Sequence, residues 1–258
     1  MTGCSSSESS QGSESAVSSE VSQTQTTTVE NEPEKVTSVS IGHKDPEDYG
    51  KVIALTFDDG PNTSTTGEVL DLFERYGVRG TFFLIGDNIN EQSAENVKRA
   101  YQMGCEIANH SKTHSYMNKM TPEEIKAEID FTSDKIEEIT GVRPTFFRPP
   151  YIAVNQTMFD TIDMPFINGY GCTDYDAKVD AQARYEKTMA QAKDGAIILF
   201  HDAQGNFQTV QALEMIIPDL LEQGYELVTV SELFYAKGIE IRPDTDIIYS
   251  YPEQTTMY

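Results

Sequence analysis

Short apolar runs alternate along the chain with longer segments whose apolar residues recur at helical spacing. The apolar runs predict strands at 51–57, 80–85, 106–109, 145–147, 165–168, 196–200 and 225–228. The periodic segments predict helices at 68–76, 91–103 and 207–222, and a further helix that begins after the capping residue Thr121 and ends at Gly141. Strands that alternate with helices indicate an α/β fold with a mostly parallel sheet, either closed into a barrel or doubly wound.

The first part of the chain has a different composition. Residues 1–40 contain 12 Ser and 6 Thr but no Leu, Ile, Phe or Tyr. Such a segment buries too little apolar area to offset the entropy of ordering it. We therefore predict a disordered tether at 1–47 and a folded domain at 48–258.

Cys4 lies between a glycine and a serine-rich run, which resembles the end of a bacterial lipoprotein signal. In such proteins the cysteine carries the lipid anchor, and two acyl chains give stable attachment to a membrane. The charged and apolar parts of a signal are missing, so we expect the sequence to lack the start of a longer chain.

The formal net charge of −23 argues against a protein that binds nucleic acid, whose mark is a basic surface. No apolar stretch approaches the roughly 18 residues of a membrane-spanning helix. We therefore expect membrane contact only through a lipid anchor. The three cysteines do not make a disulfide framework. Cys105 and Cys172 are typical of small buried apolar residues, although a disulfide between them is compatible with export.

Polar residues follow the predicted strands at the end where parallel α/β folds carry their sites. Asp58 and Asp59 close the first strand, His110 and His114 follow the third, and His201 ends the sixth. Each has a simpler explanation by itself, since Asp-Asp-Gly-Pro is typical of a turn and a lone histidine is typically part of a structural hydrogen bond. However, three of the four histidines fall at strand ends, which favours a common site.

Two imidazoles and one carboxylate are the protein ligands of many catalytic zinc sites, which leave a position for water. The spacing of His110 and His114 lets both side chains face one ion. Asp59 would supply the carboxylate, Asp58 would act as a base on the bound water, and His201 would protonate a leaving group. The residues therefore predict metal-assisted hydrolysis.

Four motifs resemble, in order, those of the polysaccharide deacetylases of carbohydrate esterase family 4. They are Thr-Phe-Asp-Asp-Gly-Pro at 56–61, His-Ser-Lys-Thr-His at 110–114, Arg-Pro-Pro-Tyr at 148–151 and Leu-Phe-His at 199–201. The resemblance extends over about residues 51–235 and includes a closing strand and helix at 224–233. It implies a distorted (β/α)7 barrel with a groove over the strand ends.

The resemblance also implies the roles of the site residues. Asp59, His110 and His114 would bind a divalent ion, with zinc first and cobalt, nickel or manganese as alternatives. Asp58 would be the general base and His201 the general acid, and these two groups need opposite protonation states.

Four further residues have roles implied by the resemblance. Arg148 would orient Asp58, and Pro150 and Tyr151 would line the groove. The backbone N–H of Tyr151 would help to stabilise the oxyanion. Leu199 would contact the acetyl methyl group.

The family's fourth motif is altered in this chain, which has no tryptophan. Its counterpart is 171–175, with Tyr175 in place of the usual Trp and Gly171 in place of an earlier Asp. Asp174 would hold His201, with Asp176 as a competing choice. Tyr175 would form a smaller aromatic wall of the groove.

We expect a monomeric enzyme that removes acetyl groups from the N-acetylglucosamine of peptidoglycan. Its expected place is the outer face of a bacterial membrane as a lipoprotein, with secretion as the alternative. Alternatives within enzymes are an O-acetyl esterase on acetylxylan and a deacetylase of chitin oligomers or another exported glycan. An alternative of another class is a surface protein that binds glycan without catalysis. The complete set of predicted metal ligands, together with Asp58 and His201, favours the enzyme.

Overall fold

The computed structural model describes residues 44–256. The helices in this part of the chain are α1 (Thr65–Tyr76), α2 (Glu91–Gln102), α3 (Pro122–Thr140), α4 (Gln156–Thr161), α5 (Ala181–Gln191), α6 (Phe207–Glu222) and α7 (Val230–Ala236). The strands are β1 (Lys51–Asp58), β2 (Thr81–Leu84), β3 (Glu106–Asn109), β4 (Phe166–Ile167), β5 (Tyr170–Gly171), β6 (Ile197–His201), β7 (Tyr225–Val228) and β8 (Ile248–Tyr249). The predicted α/β class is confirmed.

All strand pairs are parallel, and β1 lies at the centre of the main sheet. The order is β3-β2-β1-β6-β5. β7 pairs with the first half of β1, whereas β2 pairs with its last three residues on the same edge. A second sheet contains β4 and β8. The carboxyl ends of β1 and β6 therefore lie side by side.

Backbone hydrogen bonds close the strands into a distorted barrel. Phe147 bridges β3 to β4 through Asn109 and Phe166. On the other side of β8, the N–H of Ile197 in β6 donates to the carbonyl of Ser250. The predicted strand at 145–147 is thus reduced to one bridging residue, because the prolines on both sides of it lack the N–H donors of a longer ladder.

Side chains of β1 alternate between two apolar layers. Ile53, Leu55 and Phe57 belong to the layer that includes residues of α1 and α6. Val52 and Ala54 belong to the cluster inside the barrel. Because side chains alternate along a strand, Asp58 has the same orientation as Val52 and Ala54 and its carboxylate enters the barrel.

The sequence patterns located the longer elements. α6 has the predicted bounds, and the Thr121 capping box and the left-handed Gly141 at the end of α3 are present. Patterns did not reveal α4, α5, β5 or β8, and the family resemblance implied α7. The fully buried residues of α5 are Arg184 and Thr188. Its apolar residues Ala181, Tyr185 and Met189 are only partly buried against the core, so its apolar stripe is short and interrupted by polar residues. β8 is only two residues long and depends on its pairing with β4.

The described residues begin within the predicted tether. Cys4 and most of the predicted tether lie outside the described residues. Lys44, which lies within the predicted tether, forms an ion pair with Glu226 in β7. Cys105 and Cys172 are buried free thiols, so the alternative of a disulfide between them is wrong. None of the described helices has the length and apolar character needed to span a membrane.

Candidate active site

Asp59, His110 and His114 lie together at the carboxyl ends of β1 and β3. Their potential ligand atoms are all within 4.8 Å of one another. His110 Nε2 is 3.7 Å and His114 Nε2 is 3.5 Å from Asp59 Oδ1. The structure therefore brings together the three residues that the sequence predicts as metal ligands.

The two histidines lie on a loop with left-handed residues. Ser111 and His114 have φ values of 67° and 56°, and such conformations cost about 1–3 kcal/mol unless the surroundings impose them. Here Asn109 Oδ1 accepts from the Ser111 N–H at 2.8 Å, and Ser111 Oγ accepts from the His114 N–H at 3.0 Å. The buried Glu128 carboxylate accepts two more backbone N–H groups of the loop. These bonds fix both imidazoles in place.

The donor set fits a divalent metal ion. His110 Nδ1 is 2.7 Å from the carbonyl oxygen of Arg148. Because a carbonyl only accepts, Nδ1 carries the proton and Nε2 is left as a metal ligand. Burial and the neighbouring His110 lower the pKa of His114, which favours its neutral, ligating form. Asp59 Oδ1 is buried with no hydrogen-bond partner among the described residues, as a carboxylate oxygen reserved for a cation would be.

Asp58 forms a buried ion pair with Arg148. Arg148 Nη1 donates to Asp58 Oδ1 at 2.6 Å, and both side chains are almost fully buried. Burial alone would raise the pKa of Asp58, but the charge of Arg148, with His110 and His201, outweighs it and lowers that pKa. Arg148 lies over the Phe83 ring at 4.0 Å and also donates to the carbonyl of Asn168, so its position is fixed. Asp58 is therefore an ionised carboxylate in a buried site.

His201 is held by Asp174. His201 Nδ1 is 2.8 Å from Asp174 Oδ1, and the His201 N–H donates to Asp174 Oδ2 at 2.7 Å. Burial would lower the pKa of His201, but the hydrogen bond and charge of Asp174 raise it to about 9. Asp176 instead accepts from the Lys178 N–H. Of the two aspartates that the sequence left open, Asp174 is thus the one paired with His201.

A polar network that the sequence motifs did not indicate supports Asp174. Thr209 Oγ1 donates to Asp174 Oδ2 at 2.9 Å, and Asn206 Nδ2 donates to the carbonyl of Asp174. The fully buried Arg184 donates to both Thr209 Oγ1 and Asn206 Oδ1. Thr209 and Arg184 occupy buried positions on α6 and α5. In the sequence, a polar residue at a helix position expected to be apolar is the only sign of this network.

The proposed metal ligands and acid–base residues line one pocket of about 630 Å³. They are Asp58, Asp59, His110, His114 and His201. Leu199, Tyr151 and Tyr175 line it as predicted, together with Asn168, Gly169 and Gly171 from the β4–β5 segment. Pro149 lines the pocket, whereas Pro150 is buried in the turn that follows. The groove-lining role predicted for Pro150 therefore belongs to Pro149, because Pro150 is buried as the first residue of the short turn Pro150–Ile152.

Aromatic rings form the rim of this pocket. Tyr151 has a left-handed backbone with φ of 60° and lies edge-on to the His114 ring at 4.6 Å. Tyr116, which the motifs did not indicate, stacks on Tyr151 with ring centroids 4.1 Å apart. On the other side, Tyr175 is 72% exposed and lies edge-on to His201 at 5.8 Å. The groove therefore keeps an aromatic wall without the tryptophan.

Sequence comparisons show that the chain is similar to known polysaccharide deacetylases. A sequence profile described as "Polysaccharide deacetylase" matches residues 45–163. The chain is 53% identical over 189 residues to a bifunctional xylanase/deacetylase of Pseudobutyrivibrio xylanivorans, covering 73% of this chain and 31% of that protein. It is 35% identical over 196 residues to a peptidoglycan-N-acetylglucosamine deacetylase of Bacillus cereus, covering 72% of this chain and 90% of that protein.

Among solved structures, a family 4 acetyl xylan esterase from Clostridium thermocellum in complex with a cobalt ion matches with a TM-score of 0.77 and 38% identity. The match covers 79% of this chain and all of that chain. The chain spans about a third to two fifths of the length of the first curated relatives that it matches. The fold and these similarities show that the chain belongs to the polysaccharide deacetylase family, carbohydrate esterase family 4.

Proposed function

We propose that this chain is a metal-dependent polysaccharide deacetylase that hydrolyses acetyl groups on a glycan and releases acetate. The observation that carries the proposal is the pocket itself. It contains a cluster of potential metal ligands together with two titratable groups that the protein holds in opposite protonation states. Such a pair is what general acid–base hydrolysis needs at neutral pH.

Asp59, His110 and His114 would hold the metal ion, and we propose zinc, with cobalt, nickel or manganese as substitutes. When bound, the ion would polarise the acetyl carbonyl and activate water. Two neutral imidazoles and one carboxylate are a common catalytic zinc set. The unpartnered Asp59 Oδ1 supports this assignment.

Asp58 is the proposed general base. Its paired and ionised carboxylate would accept a proton from the water that attacks the acetyl carbon. Arg148 would keep Asp58 ionised in a buried position, as the ion pair indicates. The left-handed Tyr151 would supply its backbone N–H to the oxyanion.

His201 is the proposed general acid. With its pKa raised to about 9, the imidazolium predominates at neutral pH. Nδ1 bonds to Asp174, so Nε2 is the nitrogen left to donate a proton to the leaving group. An amine leaves only once it is protonated, so a charged histidine in the pocket suits an N-acetyl substrate.

We propose peptidoglycan N-acetylglucosamine as the substrate. Leu199 provides an apolar contact for the acetyl methyl group, and the tyrosines of the rim provide faces for a sugar ring. Peptidoglycan deacetylases occur among the relatives. This substrate implies action outside the cell, at the membrane surface if Cys4 is lipidated.

An O-acetyl esterase that acts on xylan is the second candidate. One observation favours it, the 53% identity to a bifunctional xylanase/deacetylase. The same acid, base and metal ligands serve an ester as well as an amide. The two candidates differ only in the glycan from which acetate is released.

Acetate release from a substrate panel tests both candidates. The panel contains peptidoglycan, N-acetylglucosamine oligomers and acetylxylan, each with chelator, with added zinc, and untreated. We expect release from peptidoglycan that chelator stops and zinc restores. Release from acetylxylan alone would assign the esterase, and glycan binding without chelator-sensitive release would refute an enzyme.

A further inference from the structure

A second pocket of about 260 Å³ adjoins the site and shares Asp59 with the catalytic pocket. Its walls come from the turn after β1, the segment between β2 and α2 together with the first turn of α2, and the loop after β6. Pro61 is the apolar residue among the lining side chains. The others are amides, hydroxyls and carboxylates, among them Asn62, Thr63, Asp87, Asn90, Gln92 and Gln204.

The backbone around this pocket is fixed to the metal-binding loop. The N–H of Gly86 donates to the carbonyl of Ser111, and the N–H of Asp87 donates to the carbonyl of Lys112, both at 2.9 Å. Lys135 Nζ donates to the carbonyl of Gly86 at 3.1 Å. The rim of the pocket therefore has a defined position relative to His110 and His114, and a ligand would not have to order it.

Side chains in the pocket divide into two groups. Asn88 Nδ2 donates to the carbonyl of Asp59 at 2.7 Å, so its amide is already engaged. The exposed side chains of Asp87, Gln92 and Gln204 make no hydrogen bond with the described residues. The side chains of Asp87, Gln92 and Gln204 therefore offer both hydrogen-bond donors and acceptors to a ligand.

The charge of the pocket narrows the ligand class. Asp59 and Asp87 are carboxylates, and no lysine, arginine or histidine lines the pocket. With Asp59 bound to the proposed metal ion, Asp87 would still repel phosphate or another anion, because no cationic side chain lines the pocket, and an apolar ligand would leave the amides and Asp87 without partners. A neutral or cationic molecule rich in hydroxyl groups matches these walls, and the volume is below that of pockets for drug-sized ligands.

We propose that this pocket is a subsite for a second sugar unit of the glycan, recognised through its hydroxyl groups by Asp87, Gln92 and Gln204. The identification of the ligand as a glycan unit rests on the proposed function, because Asp59 lines both pockets and a glycan that extends from the catalytic pocket on this side would enter the second pocket. The subsite makes affinity depend on the length of the glycan.

A binding experiment tests the subsite without relying on catalysis. The double variant Gln92→Ala/Gln204→Ala is compared with Gln102→Ala/Gln223→Ala, whose exposed glutamines lie outside the pocket. Each protein is loaded with zinc, and its affinity for an N-acetylglucosamine pentamer is measured by calorimetry in the Asp58→Asn background. Loss of two hydrogen bonds should weaken binding about tenfold or more in the pocket variant and leave the control unchanged.

A kinetic measurement without the Asp58 change separates the subsite from the catalytic pocket. With an aryl acetate, which is too small to reach the second pocket, both double variants should retain wild-type kcat/KM. With the pentamer, only the pocket variant should lose kcat/KM, by a similar factor of about ten.

The outcomes distinguish the two proposals. Pentamer binding and kcat/KM that are equal in all variants would overturn the subsite alone. An equal loss with the aryl acetate would also overturn it, because the effect would then lie in the catalytic pocket. Weakened binding without any acetate release by the wild type would keep the subsite and refute the deacetylase.

Discussion

Replacing Asp174 with asparagine should remove most of the charge stabilisation of the His201 imidazolium. The pKa of His201 is raised from 6.5 to about 9, which corresponds to about 3 kcal/mol in favour of the charged form. Asparagine keeps the size of the side chain but removes the negative charge. In the variant, burial still lowers this pKa while the Asp58 and Asp59 carboxylates still raise it, so the value should fall toward the ordinary 6.5 of histidine.

Loss of the Asp174 charge should lower kcat more at alkaline pH than at acid pH. His201 is active while protonated, so the alkaline limb of the kcat profile should move from near pH 9 to about pH 6.5. If proton donation limits the rate, kcat should drop about 30-fold at pH 8 but less than about twofold at pH 6. A bound divalent ion lowers both pKa values and moves both limbs to lower pH, so the quantity to compare is the separation of about 2.5 pH units between the two limbs, and the ratios given for pH 8 and pH 6 move with it.

The assay is acetate release between pH 5 and 10 at saturating substrate and zinc. Asp176→Asn is the matched control, because this exposed aspartate lies two residues away and bonds to Lys178 rather than to His201. A profile of Asp174→Asn that keeps its alkaline limb, with an unchanged circular dichroism spectrum, would refute the role of Asp174. So would an equal displacement in the control.

Three further predictions concern the other groups of the pocket. Asp58→Asn should lower kcat by about 10²–10⁴ with little change in binding of the pentamer, and near-full turnover would exclude Asp58 as the base. Arg148→Met leaves Asp58 buried without its partner, so urea unfolding of the metal-free protein should show a loss of about 3–5 kcal/mol, and a loss below about 1 kcal/mol would contradict the buried ion pair. Tyr116→Ala should lower kcat/KM severalfold because Tyr151 loses its stacking partner, whereas Tyr116→Phe should retain it, and equal values for both variants would show that stacking is irrelevant.

The sequence by itself located the chemistry of this site. The sequence identifies five candidate site residues because each follows an apolar run that is long enough to fold as a buried strand. They are Asp58, Asp59, His110, His114 and His201. Parallel strands place their carboxyl ends at one edge, so residues far apart in the chain converge without any knowledge of the contacts. Local patterns also sufficed for α3 and α6, whose capping residues and apolar stripes are contained within the helix itself.

The family resemblance implied that Arg148 orients Asp58, but only the tertiary structure decided between Asp174 and Asp176 as the partner of His201. The choice of Asp174 over Asp176 depends on a turn that directs one carboxylate toward His201 and leaves the other at the surface. The Arg148–Asp58 pair joins residues 90 positions apart, and its buried hydrogen bonds exist only once the barrel has closed. Neither contact is encoded in a local pattern.

The burial of Pro150, the strand β8 and the second pocket were not predicted for the same reason. Each depends on contacts between distant parts of the chain. Backbone turns with positive φ, such as those at Asp59 and Tyr151, set the direction of the neighbouring side chains. A two-residue strand such as β8 is defined by its pairing with β4. Short-range propensity determines where strands and helices form. The conformation of connecting loops depends on distant hydrogen bonds and packing, and the loops build the walls of both pockets.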